Sequence, residues 1–275
     1  MSALLTRNPS CTGLPRPRRA AGRRLAALLL AALSSLPAVG HAAGYPGFGL
    51  NASRVVVMGD ANKGTMVTAL NNSTNVYLVQ SSIWPAKGVT GYPVDAASPT
   101  AAGGVPFIVT PPLKRMEANS QLPLRILTTP NNTLPRDRES LFFLAAKAIP
   151  SVPPADANGE QKPRVVMALQ QFVKLFYRPA SLKPHAIFDG DVAPQLRMSL
   201  AGGRLHVTNP TPYHITFGVL TVNGRKVDPE ALRVMVPPMG SQDYPLPSGV
   251  TRGEVVWQVI DEFGLVTAVQ KRTVS

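Results

Sequence analysis

Residues 164–177 read RVVMALQQFVKLFY, a run of fourteen residues that favours a long β-strand. Apolar residues occupy both alternating sets of positions in this run, so both faces of the predicted strand are largely apolar. Such a strand is usually a central one that is covered on both faces. The alternative is an edge strand that packs one face on its own core and offers the other to a partner. The run by itself leaves both interpretations open.

Shorter runs of Val, Ile, Leu, Tyr and Thr lie on both sides of this segment and end at Gly, Asn, Asp or Pro. Runs of this length predict an all-β sandwich. The first series covers residues 54–58, 66–70, 75–83, 107–110, 124–128 and 140–148, and the second covers 196–200, 204–207, 215–222, 231–236, 254–260 and 265–269. Asn223-Gly224 predicts a hairpin turn within the second series. The Pro-bounded segment 179–184 separates the two series, so we predict two domains, 43–179 and 180–275.

The first 42 residues predict an export signal. They contain six arginines and no acid, followed by an apolar run at 25–33 and small residues at 40 and 42. This order is typical of a secretory signal peptide. Cleavage after Ala42 would leave 233 residues and lower the formal charge from +13 to +7. Ser34, Ser35 and Pro37 interrupt the apolar run too early for a membrane span, so we expect no membrane insertion.

The composition disfavours several classes of function. The single cysteine, Cys11, permits no intrachain disulfide and no zinc site built from four cysteines or from two cysteines and two histidines. After residue 42 no run of Lys and Arg is longer than two, which disfavours nucleic-acid binding. The nucleophile elbow, the phosphate loop, the paired-histidine zinc motif and the dinucleotide fingerprint do not occur. We therefore expect no catalytic site, no cofactor and no metal.

Isolated titratable residues are interpreted as structural. His185, His206 and His214 follow the predicted signal, and the last two lie in or beside strand runs without acidic neighbours in the sequence. The cluster Asp137-Arg138-Glu139 contains two acids, but its flanking arginines favour structural ion pairs over acid–base catalysis.

Three stretches together resemble the periplasmic pilus-assembly chaperones of the chaperone-usher pathway, the PapD-like family. They read PFIVTPPLKR at 106–115, LPRDRESLFFLAAKAIP at 134–150 and VKLFYRP at 173–179. NPTPYHITF at 209–217 and YLVQ at 77–80 add matches in the family's order.

The resemblance implies two immunoglobulin-like β-sandwich domains in an L-shaped, boomerang arrangement. It implies a periplasmic chaperone, not an enzyme, that binds, folds and caps pilus subunits by donor-strand complementation and delivers them to an outer-membrane usher. The long run would then be an edge strand whose Val165, Met167 and Leu169 enter the groove of the subunit. Whether a free chain covers this edge by dimerising is left open.

Two charged residues match the family's anchor for the terminal carboxylate of the subunit. These are Arg54 on the first strand and Lys174 on the last strand of the first domain. Arginine can bind a carboxylate through two parallel hydrogen bonds, and lysine adds a compact charge.

A second set of charged residues matches a trio that joins the two domains of the family: Glu139, Arg178 and Glu262. The third member is commonly Asp in the family, so the extra methylene of Glu262 puts the geometry in question. Ala145 and Ala148 also depart from the family, which often has Asn and Glu there.

Two other classes of function are less compatible with the sequence. An exported structural or adhesive coat subunit would be expected to carry a self-complementing or donor N-terminal extension. The segment 43–49 is short and Gly-rich, which disfavours this class. A secreted hydrolase would need a nucleophile or an acid pair that the sequence lacks. The Pro-rich loop 149–163 has no cysteine pair at its base, which places the chain nearer the family's short-loop branch.

Overall fold

The structure is a computed structural model that describes residues 47–88, 91–94, 105–130, 132–151, 166–250 and 252–274. The predicted signal peptide 1–42, Val165 and most of the loop 149–163 lie outside the described residues. The described residues form two β-sandwiches, which confirms the predicted fold class. No helix among them has the length and hydrophobicity needed to cross a membrane.

The first sandwich contains two sheets, ordered β1-β3-β7-β5 and β2-β9-β8-β4-β6 within the described residues. Its strands are β1 (Phe48–Leu50), β2 (Arg54–Met58), β3 (Thr65–Asn71), β4 (Tyr77–Pro85), β5 (Phe107–Thr110), β6 (Leu113–Met116), β7 (Ser120–Thr128), β8 (Ser140–Pro150) and β9 (Leu169–Arg178). Alternate apolar residues of both sheets, including Leu124, Leu144 and Leu175, fill the core between them.

The N-terminal strand of this sandwich changes sheet at residues 51–53. Before this point β1 pairs antiparallel with β3, and after it β2 pairs parallel with β9. Because of this switch, β2 reaches β9 only from Lys174 onward.

The second sandwich contains the sheets β10-β11-β14 and β13-β12-β15-β16. Its strands are β10 (Arg197–Ala201), β11 (Arg204–Asn209), β12 (Phe217–Val222), β13 (Arg225–Lys226), β14 (Gly240–Pro245), β15 (Gly253–Val259) and β16 (Gln270–Val274). The buried Trp257 and Tyr244 are the largest apolar side chains of its core. The turn predicted at Asn223-Gly224 is confirmed, because both residues have positive φ and join the paired β12 and β13.

Several strand predictions in the second domain are wrong. Residues 231–236 form a single 3-10 turn, Ala231–Arg233, followed by an isolated bridge between Val236 and Ile215. The last strand begins at Gln270, after the predicted run 265–269. Strand β14 was not predicted, because its sequence GSQDYP resembles a turn. It is a strand because β11 supplies its pairing partner along the whole length.

Strand β1 was also missed, because three residues are too few to show an alternating pattern, and β6 was missed because its sequence LKRM has two adjacent cations in place of an apolar run. The long run at 164–177 becomes a strand only from Leu169 onward among the described residues, and Val166, Met167 and Ala168 precede it without regular structure.

Candidate functional site

Strand β9 has two different environments along its length. Strand β8 pairs with it from Leu169 to Tyr177, whereas β2 pairs with it only from Lys174 to Arg178. Among the described residues, no strand pairs with the other edge of residues 169–173. The first half of β9 is therefore an edge and the second half is central, so each interpretation of the run applies to one half.

Apolar side chains are exposed at the edge half. Met167 is 79% exposed, Leu169 is 53% exposed, and Val166 is also exposed. Val165, the third residue that the resemblance assigns to the subunit, lies outside the described residues. An apolar patch beside unpaired backbone groups is suited to receiving another strand.

Arg54 and Lys174 lie at the point where the edge half ends. They are direct partners at the first position of the β2–β9 pairing. Arg54 Nη1 donates a 3.0 Å hydrogen bond to the carbonyl oxygen of Ile260 in the second sandwich, and its guanidinium lies 5.8 Å from the ring of Phe176. Arg54 Nε is buried and has no hydrogen-bond partner among the described residues.

Burial and neighbouring charges shift the pKa values of both cations. Burial, followed by the charges of Arg54 and Arg233, lowers the pKa of Lys174 to about 8. Burial also lowers the pKa of Arg54, against the opposing effect of Asp261, Glu139 and Glu262. Within the described part of the chain, neither cation forms an ion pair. A bound anion would relieve this arrangement, because it favours the charged form of both groups.

Arg54 and Lys174 line a cleft of about 660 Å³ between the two sandwiches. Its walls combine apolar and polar side chains from both domains. They include Arg54, Phe143, Phe172 and Lys174 from the first sandwich and Thr216, Phe217, Leu232, Arg233 and Ile260 from the second. Thr216 Oγ1 is buried without a hydrogen-bond partner among the described residues. The cleft therefore offers a buried hydroxyl as well as the two cations.

A buried charged network lies behind the cleft. Arg178 Nε donates to Glu139 Oε1 at 2.8 Å, and Arg178 Nη1 donates to Glu262 Oε1 at 2.8 Å. All three side chains are buried. The structure thus brings together the three residues that the resemblance assigns to the domain junction.

The remaining carboxylate oxygens of this network are also satisfied. Glu262 accepts hydrogen bonds from the backbone N–H groups of Ile187 at 3.1 Å and Phe188 at 2.9 Å. Glu139 Oε2 accepts one from the backbone N–H of His214 at 2.7 Å. The glutamate at 262 therefore reaches both its arginine and the 187–188 backbone.

Burial alone would raise the pKa of Glu139, but the hydrogen bond from His214 and the charge of Arg178 outweigh it, so the pKa of Glu139 is lowered. The pKa of Arg178 is raised, because its two carboxylate partners outweigh the effect of burial. Both residues are thus held in their charged forms.

His214 was missed as a member of this network. Its Nδ1 lies 3.2 Å from Glu139 Oε2, although 75 positions separate the two residues in the sequence. No local signal could reveal this contact. Of the neighbouring cluster, Arg138 pairs with Asp137 at 2.8 Å on the surface, while Glu139 turns inward to Arg178.

Fold and site together define a class: a two-domain immunoglobulin-like protein with an exposed strand edge that ends at a half-buried pair of cations. The model of the N-terminal domain of PapD, a pili and flagellar-assembly chaperone, matches residues 47–183, and that of the PapD C-terminal domain matches residues 191–271. The chaperone FimC of Escherichia coli K12 is 34% identical over 221 residues, which are 80% of this chain and 82% of FimC. This chain belongs to the PapD-like family of pilus-assembly chaperones.

Further relatives agree. The chaperone LpfB of Salmonella typhimurium is 33% identical over 220 residues, covering 79% of this chain and 85% of LpfB. Among solved structures, the E. coli chaperone DraB matches with 32% identity and a TM-score of 0.66, covering 83% of this chain and 96% of DraB. The structure of the Salmonella enterica SafA pilin in complex with the SafB chaperone matches with 30% identity and a TM-score of 0.66, covering 83% and 97%. These relatives favour a chaperone over a coat subunit.

Proposed function

We propose that this protein is a non-enzymatic periplasmic chaperone that binds, folds and caps pilus subunits by donor-strand complementation. One observation carries the proposal: the free edge of β9 at residues 169–173 leads directly to the half-buried pair Arg54 and Lys174. An edge of this kind pairs with an added strand through its backbone, while side-chain pockets supply specificity.

The start of β2 determines what kind of strand fits. From Lys174 onward β2 occupies the same edge of β9. A partner strand along residues 169–173 therefore meets Arg54 and must stop or turn away. A chain terminus satisfies this requirement, and the two cations select the carboxyl terminus. The bound strand then runs toward Lys174, parallel to β9.

Val165, Met167 and Leu169 are the side chains that we propose to enter the groove of the subunit. Full burial of each would contribute about 1.5 to 3 kcal/mol before the cost of ordering is subtracted. The carboxylate anchor sets the register of these contacts, because a slip of one residue would turn every side chain of the subunit strand to the opposite face.

The remaining parts of the proposal concern location and delivery. Export through the predicted signal peptide 1–42 places the chain in the periplasm, and transfer of the subunit to an outer-membrane usher completes the role. Relatives named as probable fimbrial chaperones support a role in fimbrial assembly. The buried network of Glu139, Arg178 and Glu262 would hold the two walls of the cleft together.

Co-purification from the periplasm with co-expressed candidate pilins tests this function. The tagged native chain is compared with Arg54→Ala, with Lys174→Ala and with Lys226→Ala, which removes an exposed cation of the second sandwich. We expect the native chain and Lys226→Ala to retain a pilin that both anchor variants lose. Anchor variants that fold normally and retain the pilin equally well would show that the carboxylate site is wrong. A native chain that retains no pilin would contradict the chaperone function.

A further inference from the structure

Three aromatic side chains form a cluster on the outer face of the sheet that contains β9. The rings of Trp84 and Phe172 meet edge to face with centroids 5.6 Å apart, and Phe143 lies 6.5 Å from Phe172 in the same kind of contact. Phe143 is buried, whereas Phe172 remains 37% exposed. Phe172 therefore presents a ring that its own domain only partly covers.

The strand register explains why these rings meet. Trp84 pairs with Phe143, and Phe143 pairs with Lys174 in one row across the sheet. In the next row Ala145 pairs with Phe172. The small side chain of Ala145 leaves space over which the rings of Trp84 and Phe172 come into contact.

Hydrogen bonding fixes the position of the cluster. Trp84 Nε1 donates a 2.8 Å hydrogen bond to Ser82 Oγ, and Ser82 is the strand partner of Ala145. This hydrogen bond holds the indole of Trp84 toward Ser82 and its strand partner Ala145. Ala145 is almost completely buried. The aromatic surface is pre-organised in the free protein.

The cluster borders the cation pair. Phe143 and Phe172 line the same cleft as Lys174, and Phe217 and Leu232 of the second sandwich form part of the other wall. A peptide bound in this cleft would contact both the cation pair and these apolar side chains through residues that are close together in its sequence.

We propose that this aromatic subsite takes a large apolar or aromatic side chain from the third residue from the carboxyl end of the bound subunit. The inference rests on the proposed function, which places the terminal carboxylate beside Lys174. In a strand parallel to β9, the residue two positions before the carboxylate lies about 6.6 Å away on the same face, next to Phe172. An aromatic ring there can add an edge-to-face contact to the cluster. The subsite would let the chaperone select among chain ends.

Synthetic peptides that differ only at the third residue from the end, which is Phe, Leu or Ser, test the proposal. All carry a free carboxylate, and an amidated copy of the Phe peptide tests the anchor separately. Binding is measured by calorimetry and by the fluorescence of Trp84, the chain's other tryptophan being the buried Trp257. We expect the Phe peptide to bind about tenfold more tightly than the Ser peptide. Amidation should weaken binding.

Variants of the protein locate the effect. Phe172→Ser should reduce the preference for Phe over Ser to less than about twofold, and Phe172→Leu should keep most of it. Phe188→Ser is the matched control, because it removes an exposed phenylalanine that does not line the cleft. It should leave the preference unchanged. Thermal unfolding checks that each variant is folded.

The outcomes separate the two proposals. Equal affinity of the native protein for the Phe and Ser peptides, with amidation still weakening binding, overturns the aromatic subsite and leaves the proposed function intact. This comparison uses only the native protein, so it does not depend on how the variants fold. Failure of every free-acid peptide to bind, or binding that ignores amidation, contradicts the carboxylate anchor and the subsite with it.

Discussion

Arg54 and Lys174 are direct partners in the parallel pairing of β2 with β9. Arg54 donates a hydrogen bond to Ile260 of the second sandwich, and both cations line the cleft between the two sandwiches. Lys174 is half-buried beside Arg54 and forms no ion pair within the described residues, so burial and the charge of Arg54 lower its pKa. Strongly perturbed groups in a cleft are typical of functional sites. The same residues mark the point where the free edge of β9 ends.

The affinity for a subunit should depend on the protonation of Lys174. In the free protein its pKa is about 8, because burial and the charges of Arg54 and Arg233 disfavour the charged amino group. A bound carboxylate favours the charged form and raises this pKa. The complex then binds more protons than the free protein above about pH 8, so affinity is constant below this pH and falls above it.

Binding of a free-acid subunit peptide, measured between about pH 7 and pH 9.5, checks this dependence. Lys174→Arg is the control, because a guanidinium stays charged over this range and should remove the fall in affinity. An affinity of the native protein that does not change with pH would show that Lys174 does not contact the carboxylate.

The exposed side chains at the edge of β9 should affect the complex and not the fold. Met167→Asn and Leu169→Asn should each weaken the subunit complex by about tenfold to a hundredfold, since each loses about 1.5 to 3 kcal/mol of apolar burial. Their melting temperatures should match that of the native protein, because both side chains are solvent-exposed. Met66→Asn, which changes another exposed methionine, should alter neither property. A loss of stability in the edge variants without weaker binding would contradict the proposal.

The buried network between the domains should be important for stability. Arg178→Met leaves Glu139 and Glu262 buried without their cation, so we expect a loss of about 3 to 5 kcal/mol in the free energy of unfolding. Urea denaturation measures this change. Arg138→Met, which breaks only the surface pair with Asp137, should leave stability nearly unchanged. Similar stabilities of the two variants would mean that the buried network contributes little.

A buried asparagine should stabilise the second sandwich. Asn209 Nδ2 donates to the carbonyl oxygens of Tyr213 at 2.7 Å and Pro237 at 2.9 Å, and its Oδ1 accepts from the backbone and hydroxyl of Thr211. Asn209→Ala leaves these groups unpaired and should cost about 2 to 4 kcal/mol in urea denaturation.

The exposed Asn51 provides the comparison for this experiment. It accepts one hydrogen bond, from the backbone N–H of Thr68, and Asn51→Ala should cost less than about 1 kcal/mol. A cost for Asn209→Ala no larger than that for Asn51→Ala would refute the structural role of Asn209.

Local sequence patterns determined the parts of the structure that depend on neighbouring residues. Alternation of apolar residues predicted most strands of the first sandwich. Asn223-Gly224 predicted a hairpin of the second sandwich, because the turn needs two residues with positive φ. The motifs around Glu139, Lys174 and Arg178 carried the resemblance to the chaperone family.

Tertiary structure decided which edges are paired and which groups meet. The pattern of residues 164–177 is the same whether the strand is central or at an edge; the arrival of β2 at Lys174 makes one half central and leaves the other half free. Strand β14 forms only because β11 is its partner, and His214 joins Glu139 across 75 positions of sequence. The aromatic cluster around Phe172 likewise needs three strands in register. A period-two pattern specifies which way side chains face, but pairing partners come from contacts between distant segments that no local pattern encodes.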